Sequence, residues 1–461
     1  KTFGLGEKVT ITDFATVDEE TLIRRALTDV EIEGKLVVGM LDVFEQLGIN
    51  LKLTLSKTSY SYLTENVEFN FGDVLSEEGF LRGSVLSYRG GRTEMFYKGV
   101  QKNVFIYDVN SLYPYVMYEY TYPIRFKFKT KDMRVIHDQI KNGNCVLAKV
   151  RFYNDANIGV KYEDRLVFPK GEMIAWLNTR EMEYLLGKGL ISEVLEAYVF
   201  EGRKIFNRIK TLYDMRMKFK KEGKESLQYI TKILMNSGYG RFGYRVEEMG
   251  FDKELALELE AAGYNVKEYE WGNYYFFRIT NIYKYNQLTL IAAEVTANAR
   301  MHITNYKNIV ESGGGKVYYM DTDSLFTDKK GKEILYEHNL VGNELGLLKE
   351  EYTGVTVEFI LPKVYTIFSE EGNVIKKKMK GVSKDALLLY TDEELMKFKD
   401  QSGTSILVNR GIVRGAVIWR NIEKQLKLNE YKKGRITESG WVVPLELSGY
   451  DVEQSDKVVF I

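Results

Sequence analysis

Aspartates at two places in the chain are spaced so that they could do chemistry. Asp321 and Asp323 lie in Tyr319-Met320-Asp321-Thr322-Asp323-Ser324, where apolar runs flank a tight turn between Lys316 and Thr327. A hairpin there would hold both carboxylates at a rigid tip, although Asp also suits an ordinary solvated turn. Asp108 ends the apolar run Val104-Phe105-Ile106-Tyr107 and is followed by Val109-Asn110-Ser111-Leu112-Tyr113-Pro114, whose proline fixes a sharp exit. Carboxylates brought together from two strand ends repel one another unless a cation sits between them. Oxygen ligands without His or Cys suit Mg²⁺, which keeps waters and takes further ligands from substrate phosphates. Two such ions, roughly 3.5–4 Å apart, would serve phosphoryl transfer by activating one oxygen and stabilising another as it leaves.

A basic stretch could supply the grip on phosphate. Arg216 and Lys220 are spaced i, i+4 on one expected helix, and Lys232, Asn236 and Tyr239 at i, i+4, i+7 on the next. Residues 201–224 hold nine basic and three acidic residues. A solvated basic face is the ordinary alternative, but Asn236-Ser237-Gly238-Tyr239-Gly240 is an unusual surface sequence for a helix end.

The elements that must position these residues follow from periodicity and breakers. The spacing predicts a strand over 104–108, a hairpin over 316–327, two helices within 203–243 about the turn Lys221-Glu222-Gly223-Lys224, and a long helix from about Gln287 to Ile309, broken by Gly313-Gly314-Gly315. Residues 125–200 alternate β-rich pieces with a helix near Thr179–Gly187. An acidic helix, Lys253–Ala262, and a strand-rich piece, Tyr274–Ile282, follow the basic pair. Near the start, Asp18-Glu19-Glu20 reads as a first helical turn, and an apolar helix is expected from Gly34 to Leu47.

Composition sets the limits. A chain of 461 residues is expected to form about three compact units, and 33 Tyr and 24 Phe fit a folded protein. One cysteine excludes an internal disulfide and a thiolate zinc site, and three histidines leave little scope for His-based chemistry. No apolar run reaches the roughly 18 residues that cross a bilayer, and no signal-peptide pattern opens the chain, so a cytoplasmic location without membrane partners is expected. The net charge of zero argues against a polyanionic partner. It is, however, the sum of 7 basic and 15 acidic residues in 1–80 and a net of +8 beyond. Affinity for nucleic acid follows local charge, concentrated at 201–224 and 363–384.

Together these residues resemble the family B DNA polymerases. Asp108-Val109-Asn110-Ser111-Leu112-Tyr113-Pro114 is similar to their motif A, Lys232 through Gly240 to motif B, Tyr319 through Ser324 to motif C, and Lys363-Val364-Tyr365 to the Lys-x-Tyr element. The order is the family's, and the resemblance covers about residues 84–384. Within the family it is strongest to the protein-primed replicative polymerases of phages and linear plasmids. Tyr88-Arg89-Gly90-Gly91 matches their Tyr-x-Gly-Gly element, and Thr296-Ala297-Asn298-Ala299-Arg300 resembles their Thr-x-x-Ala-Arg element.

The resemblance implies an α+β right-hand polymerase: a palm with an antiparallel sheet, helical fingers, a small thumb and palm insertions. The implied division is an acidic segment 1–80, palm 81–124, first insertion 125–200, fingers 201–243, second insertion 244–283, palm 284–384 and thumb 385–461. Asp108 and Asp323 would be catalytic and hold two Mg²⁺ ions, which Mn²⁺ can replace, with Val109 offering its carbonyl and Asp321 assisting. Arg216, Lys220 and Lys232 would neutralise the triphosphate. Ser111 and Leu112 would line the nucleotide site, Tyr113 would exclude a 2′-hydroxyl, and Asn236 and Tyr239 would face the base. Tyr88, Gly90, Gly91, Thr296, Arg300, Tyr319, Thr322, Lys363, Tyr365 and Lys380 would contact DNA, chiefly the primer. The implied partners are a DNA primer-template and dNTPs, with a terminal priming protein and a separate exonuclease or processivity subunit as further candidates. Residues 1–80 are too short for the family's editing exonuclease; Thr28-Asp29-Val30-Glu31 resembles the end of its third motif, with Arg25 in place of a tyrosine. A catalytically silent DNA-binding subunit and a primer-independent polymerase are the competing readings.

Overall fold

The computed structural model describes residues 17–452 apart from 164, 244–246, 262–265, 272–273, 281–287, 381–409, 414–415 and 420–430. Its centre is a seven-stranded sheet. In spatial order the strands are Thr93–Met95, Val317–Asp321, Ser324–Thr327, Gly99–Val109, Leu348–Leu361, Val364–Phe368 and Val374–Met379. Every neighbouring pair is antiparallel. The strand carrying Asp108 lies between the second arm of the Asp321–Asp323 hairpin and the long strand from Leu348. One face of the central strands is closed by the helix Thr289–Ser312, whose Ile291, Val295, Ala299 and Ile303 join Tyr107, Val109, Met320 and Leu325 in one core.

A second, five-stranded sheet holds residues of the expected first insertion. Its strands run in the order Tyr450–Asp451, Lys170–Leu177, Cys145–Asp155, Ile191–Arg203 and Tyr122–Lys129, with helices Met133–Lys141 and Thr179–Gly187 against it. The helix Thr179–Gly187 has the bounds the sequence suggested, and its Asn178–Glu181 capping box explains why it starts there. Past the basic helices, Glu247–Gly250, Val266–Trp271 and Tyr274–Thr280 form a small antiparallel sheet over the helix Lys253–Ala261, closed by Ala256, Phe277 and Ile279.

Two expectations change. The helix predicted from Gly34 is one continuous helix, Glu19–Gln46, opened by the Asp18 carboxylate accepting from the Thr21 N–H at 2.7 Å. Gly34 does not interrupt it, because an isolated glycine costs a helix only about 1 kcal/mol. The final segment also behaves differently from a free-standing unit. Trp441 stacks on Tyr318, the Val442 N–H donates to the Phe96 carbonyl, and Tyr450–Asp451 adds a parallel edge strand to the five-stranded sheet. Residues 431–452 thus cover two sheet edges that would otherwise expose unpaired backbone groups. Most of the expected thumb, including 385–409, and Lys384 lie outside the described residues.

Candidate active site

Asp108 and Asp323 are brought together by strand pairing. The hairpin turns through Thr322 and Asp323, so that Ser324 pairs with Asp108 across the sheet and the Val109 N–H donates to the Asp323 carbonyl at 2.8 Å. The Ser324 hydroxyl donates to Asp108 Oδ1 at 2.5 Å. Thr322 takes φ +64°, unusual for a β-branched residue, and its N–H is held by the Arg92 carbonyl at 2.7 Å. Burial first, and then the facing Asp108 charge, push the Asp323 carboxyl up to about 6.

Asp321 has another role. It is buried, its Oδ1 accepts from Lys363 Nζ at 2.5 Å and the Thr93 hydroxyl at 3.0 Å, and its Oδ2 accepts from Lys378 Nζ at 2.8 Å. Burial opposes its ionisation, yet the two ammonium groups hold its pKa below the usual carboxylate value. In place of the assisting catalytic role expected of Asp321, the structure shows both of its oxygens accepting from lysines. Lys378 was missed as a site residue because it reaches Asp321 from the far side of the strand carrying Tyr365, with which it pairs.

Beside the aspartate pair lies a cavity of about 680 Å³. Asp108, Val109, Ser111, Leu112, Tyr113 and Asp323 line one side; Arg216, Lys220, Lys232 and Asn236 line the other. Arg216 and Lys220 project from the helix Arg208–Lys221, and Lys232 and Asn236 from the helix Glu225–Ser237; the two are joined through Gly223 at φ +68°. Arg216 Nη1 donates to the Ser111 hydroxyl at 2.9 Å, and burial lowers the pKa of this guanidinium. Asn236 spends its amide on the Lys232 carbonyl at 2.7 Å. Tyr239 is not on the expected helical face, because the helix ends at Ser237 and Tyr239 opens a 3₁₀ turn. Its ring still stacks on Tyr113, with centroids 4.6 Å apart and planes 4° from parallel. Burial raises both phenol pKa values. Sequence reasoning also missed Asn110, Tyr213, Asn343, Lys349 and Glu351, which line the same cavity. Lys349 lies directly across the sheet from Asp108, a pairing that depends on register rather than on any local pattern.

The residues expected along the primer divide into exposed and buried sets. Gly90 is exposed and a Cβ there would meet nothing, whereas a Cβ on Gly91 would come within 2.8 Å of the Thr322 side chain. Gly91 thus lets the turn after Tyr88 close onto the hairpin tip. Lys363, with φ +64°, is partly exposed, and Lys380 is exposed. Thr296, Arg300, Tyr319 and Tyr365, expected at the primer, are buried. Thr296 donates to the Ala293 carbonyl of its own helix. Arg300 donates to the Arg89 and Gly90 carbonyls at 2.6 and 3.1 Å and pairs with Glu181 at 2.8 Å, so it holds the glycine turn from beneath. Tyr319 accepts the Lys363 N–H at 2.8 Å, and Tyr365 packs 5.4 Å from its ring.

As a donor set, Asp108 and Asp323 fit a hard divalent ion: two facing carboxylates with no ammonium group hydrogen-bonded to Asp108 or Asp323 in the described structure. Among the described residues no group of three or more Asp, Glu, His or Cys gathers into a metal-holding cluster. An ion held here would need further oxygens from a ligand, such as phosphate, and the cavity's basic wall is placed to receive one.

Comparison with known proteins gives the family and the fold. The model of the type B DNA polymerases, organellar and viral, matches residues 22–310. A probable DNA polymerase of Podospora anserina is 26% identical over 454 residues, covering 88% of this chain and 35% of its own. The DNA-directed DNA polymerase of Enterobacteria phage PRD1 is 23% identical over 355 residues, covering 72% of this chain and 58% of its own. This chain spans about a third of the length of the Podospora relative. Phi29 DNA polymerase, complexed with primer-template DNA and incoming nucleotide, superposes with a TM-score of 0.62 at 16% identity, over 92% of this chain and 77% of that one. That likeness establishes the α+β right-hand fold. Among the described residues no helix is long and apolar enough to cross a membrane.

Proposed function

The chain belongs to the organellar and viral type B DNA polymerases, and from that premise we propose that it adds deoxynucleotides to a primer 3′-hydroxyl under the direction of a template. The observation that carries this reading is the convergence of Asp108 and Asp323 on one side of a cavity whose other side presents Arg216, Lys220 and Lys232. The two carboxylates would hold Mg²⁺, or Mn²⁺ in its place, with the Val109 carbonyl. When bound, the ions supply the positive charge that lowers the pKa of the attacking hydroxyl and stabilises the departing pyrophosphate. The protein's own groups do the rest. Arg216, Lys220 and Lys232 neutralise the triphosphate, and the Ser111 hydroxyl holds Arg216 in place. Tyr113, braced face to face by Tyr239, forms a flat wall where the sugar would lie and leaves little room for a 2′-hydroxyl. Lys363, anchored on Asp321, carries a cation toward the primer side, and Arg300 shapes the Gly90-Gly91 turn.

A labelled primer annealed to a longer template, with Mg²⁺ and dNTPs supplied singly, tests the proposal. The expected result is extension only by the complementary nucleotide. Template binding without extension, in Mg²⁺ and in Mn²⁺, would mean that the fold serves as a DNA-binding subunit.

The elements at 88–91 and 296–300 favour synthesis started from the hydroxyl of a terminal protein. Labelled dNTP incubated with the enzyme, template and candidate priming proteins should then yield protein-linked label. Label confined to DNA chains would refute protein priming and leave the polymerase reading standing.

A further inference from the structure

The loop 338–347 joins the helix Lys329–Glu337 to the strand Leu348–Leu361 and belongs to none of the sequence elements that pointed to the site. It is nevertheless tied to Asn110, the residue between Val109 and Ser111. The Asn110 N–H donates to the Leu347 carbonyl at 2.8 Å and the Gly346 N–H to the Asn110 carbonyl at 3.0 Å. The Asn110 side-chain amide donates to the Gly342 carbonyl at 2.8 Å. On its outer side the loop accepts the Tyr213 hydroxyl on the Asn343 carbonyl at 3.0 Å.

From beneath, the Tyr306 hydroxyl at 2.7 Å and His302 Nε2 at 3.2 Å both reach the Gly346 carbonyl. Burial pushes His302 down to about 4, so the ring is neutral near pH 7, and the carbonyl acceptor keeps its proton on Nε2. Gly346 has φ +89°, and a Cβ there would fall 2.2 Å from the Tyr115 ring, so this corner admits only glycine.

What the loop holds is a strained turn. Ser111 lies at φ +54°, a left-handed conformation that costs a non-glycine residue roughly 1 kcal/mol or more and persists only where its surroundings impose it. Asn110 fixes the turn from the loop side, and Arg216 fixes it from the helix side. Tyr213 and Arg216 lie one turn apart on the helix Arg208–Lys221, so one helix face touches both the loop and the turn it supports.

We propose that Asn110 and the 338–347 loop form a positioning element that sets the Ser111–Tyr113 turn, and that the Tyr213–Asn343 hydrogen bond couples the basic helix to it. The consequence for nucleotide selection rests on the polymerase reading; the mechanical claim does not. Asn110→Ala removes the side-chain donor, and Tyr213→Phe removes one hydroxyl while keeping the ring. Two measurements on the whole chain decide the matter. In single-nucleotide insertion, Asn110→Ala should lower the insertion rate about tenfold or more. Its preference for dNTP over rNTP should drop severalfold, with primer-template affinity unchanged. Tyr213→Phe should chiefly weaken nucleotide binding, by severalfold, and the double variant should show less than the product of the two effects. In amide hydrogen exchange, both variants should speed exchange at 108–113 while the strands of the five-stranded sheet stay protected. Unchanged exchange at 108–113 in Asn110→Ala, or unchanged sugar preference at full insertion rate, overturns the proposal. A wild-type protein inert on every primer-template would instead refute the polymerase reading, and the exchange measurement would still decide whether the loop holds the turn.

Discussion

Asp321 and Asp323 are separated by one residue on one hairpin, yet their surroundings push their carboxyl groups in opposite directions. Asp323 sits in the turn beside Ser324, the cross-strand partner of Asp108, and has its pKa raised to about 6 by burial and the Asp108 charge. Asp321 turns to the other side, where Lys363 and Lys378 hold it below the ordinary value against the effect of burial. The first arrangement is unfavourable in the protein alone and would be relieved by a bound cation; the second is already satisfied. A group left electrostatically unsatisfied beside a cavity is a candidate for chemistry, whereas a satisfied one is a candidate for architecture.

The largest test of this contrast is activity. Asp108→Asn or Asp323→Asn should cut primer extension by about 10³-fold or more while primer-template binding persists. Asp321→Asn should cost far less, about tenfold or below, because it disturbs only the orientation of Lys363 and Lys378. Equal losses at Asp321 and Asp323 would erase the distinction.

Stability should divide the two with opposite signs. Asp323 binds its proton more tightly in the folded state, so without divalent ions stability should fall as pH rises from about 4 to about 6. Asp323→Asn should remove that slope and gain about 1–2 kcal/mol at pH 7. Asp321 is the reverse: its depressed pKa gives stability that is full above the unfolded value near 3.8 and is lost as pH falls below it. Asp321→Asn should cost about 1–3 kcal/mol at pH 7, as a buried acceptor of two ammonium groups is lost. Denaturant unfolding from pH 2 to 8 reads both.

A smaller effect sharpens the same point. In the presence of a dNTP, Mg²⁺ should raise the unfolding midpoint of the wild type and of Asp321→Asn by a few degrees, and raise that of Asp323→Asn less. Smallest of all, Lys378→Met should cost under about 1 kcal/mol, because Lys363 still pairs with Asp321 and the Lys378 side chain is 40% exposed.

Much of this site was legible because its parts are local patterns. An apolar strand ending in Asp108, a hairpin tip with Asp323, and basic residues at helical spacing around Gly223 each declare themselves within a short stretch of sequence. The opposite duties of Asp321 and Asp323 were not legible, since they depend on where the turn through Thr322 falls and on Lys378 arriving from a strand more than fifty residues onward. The burial of Arg300 was not legible for a related reason. Its spacing within the helix Thr289–Ser312 says nothing of burial, because residues on every side of that helix up to Arg300 are enclosed, and its guanidinium is spent on backbone carbonyls. The Asn110 loop was invisible for want of any local signature: its partners are brought from helices and strands far apart in the chain.

The central claim, that Asp108 and Asp323 form the metal centre and Asp321 does not, is tested most directly by Mn²⁺ binding, followed by electron paramagnetic resonance in the presence of a dNTP. Wild type and Asp321→Asn should bind Mn²⁺ alike, and Asp323→Asn should bind it at least about tenfold more weakly. Binding retained in Asp323→Asn, or lost equally in Asp321→Asn, would contradict the account.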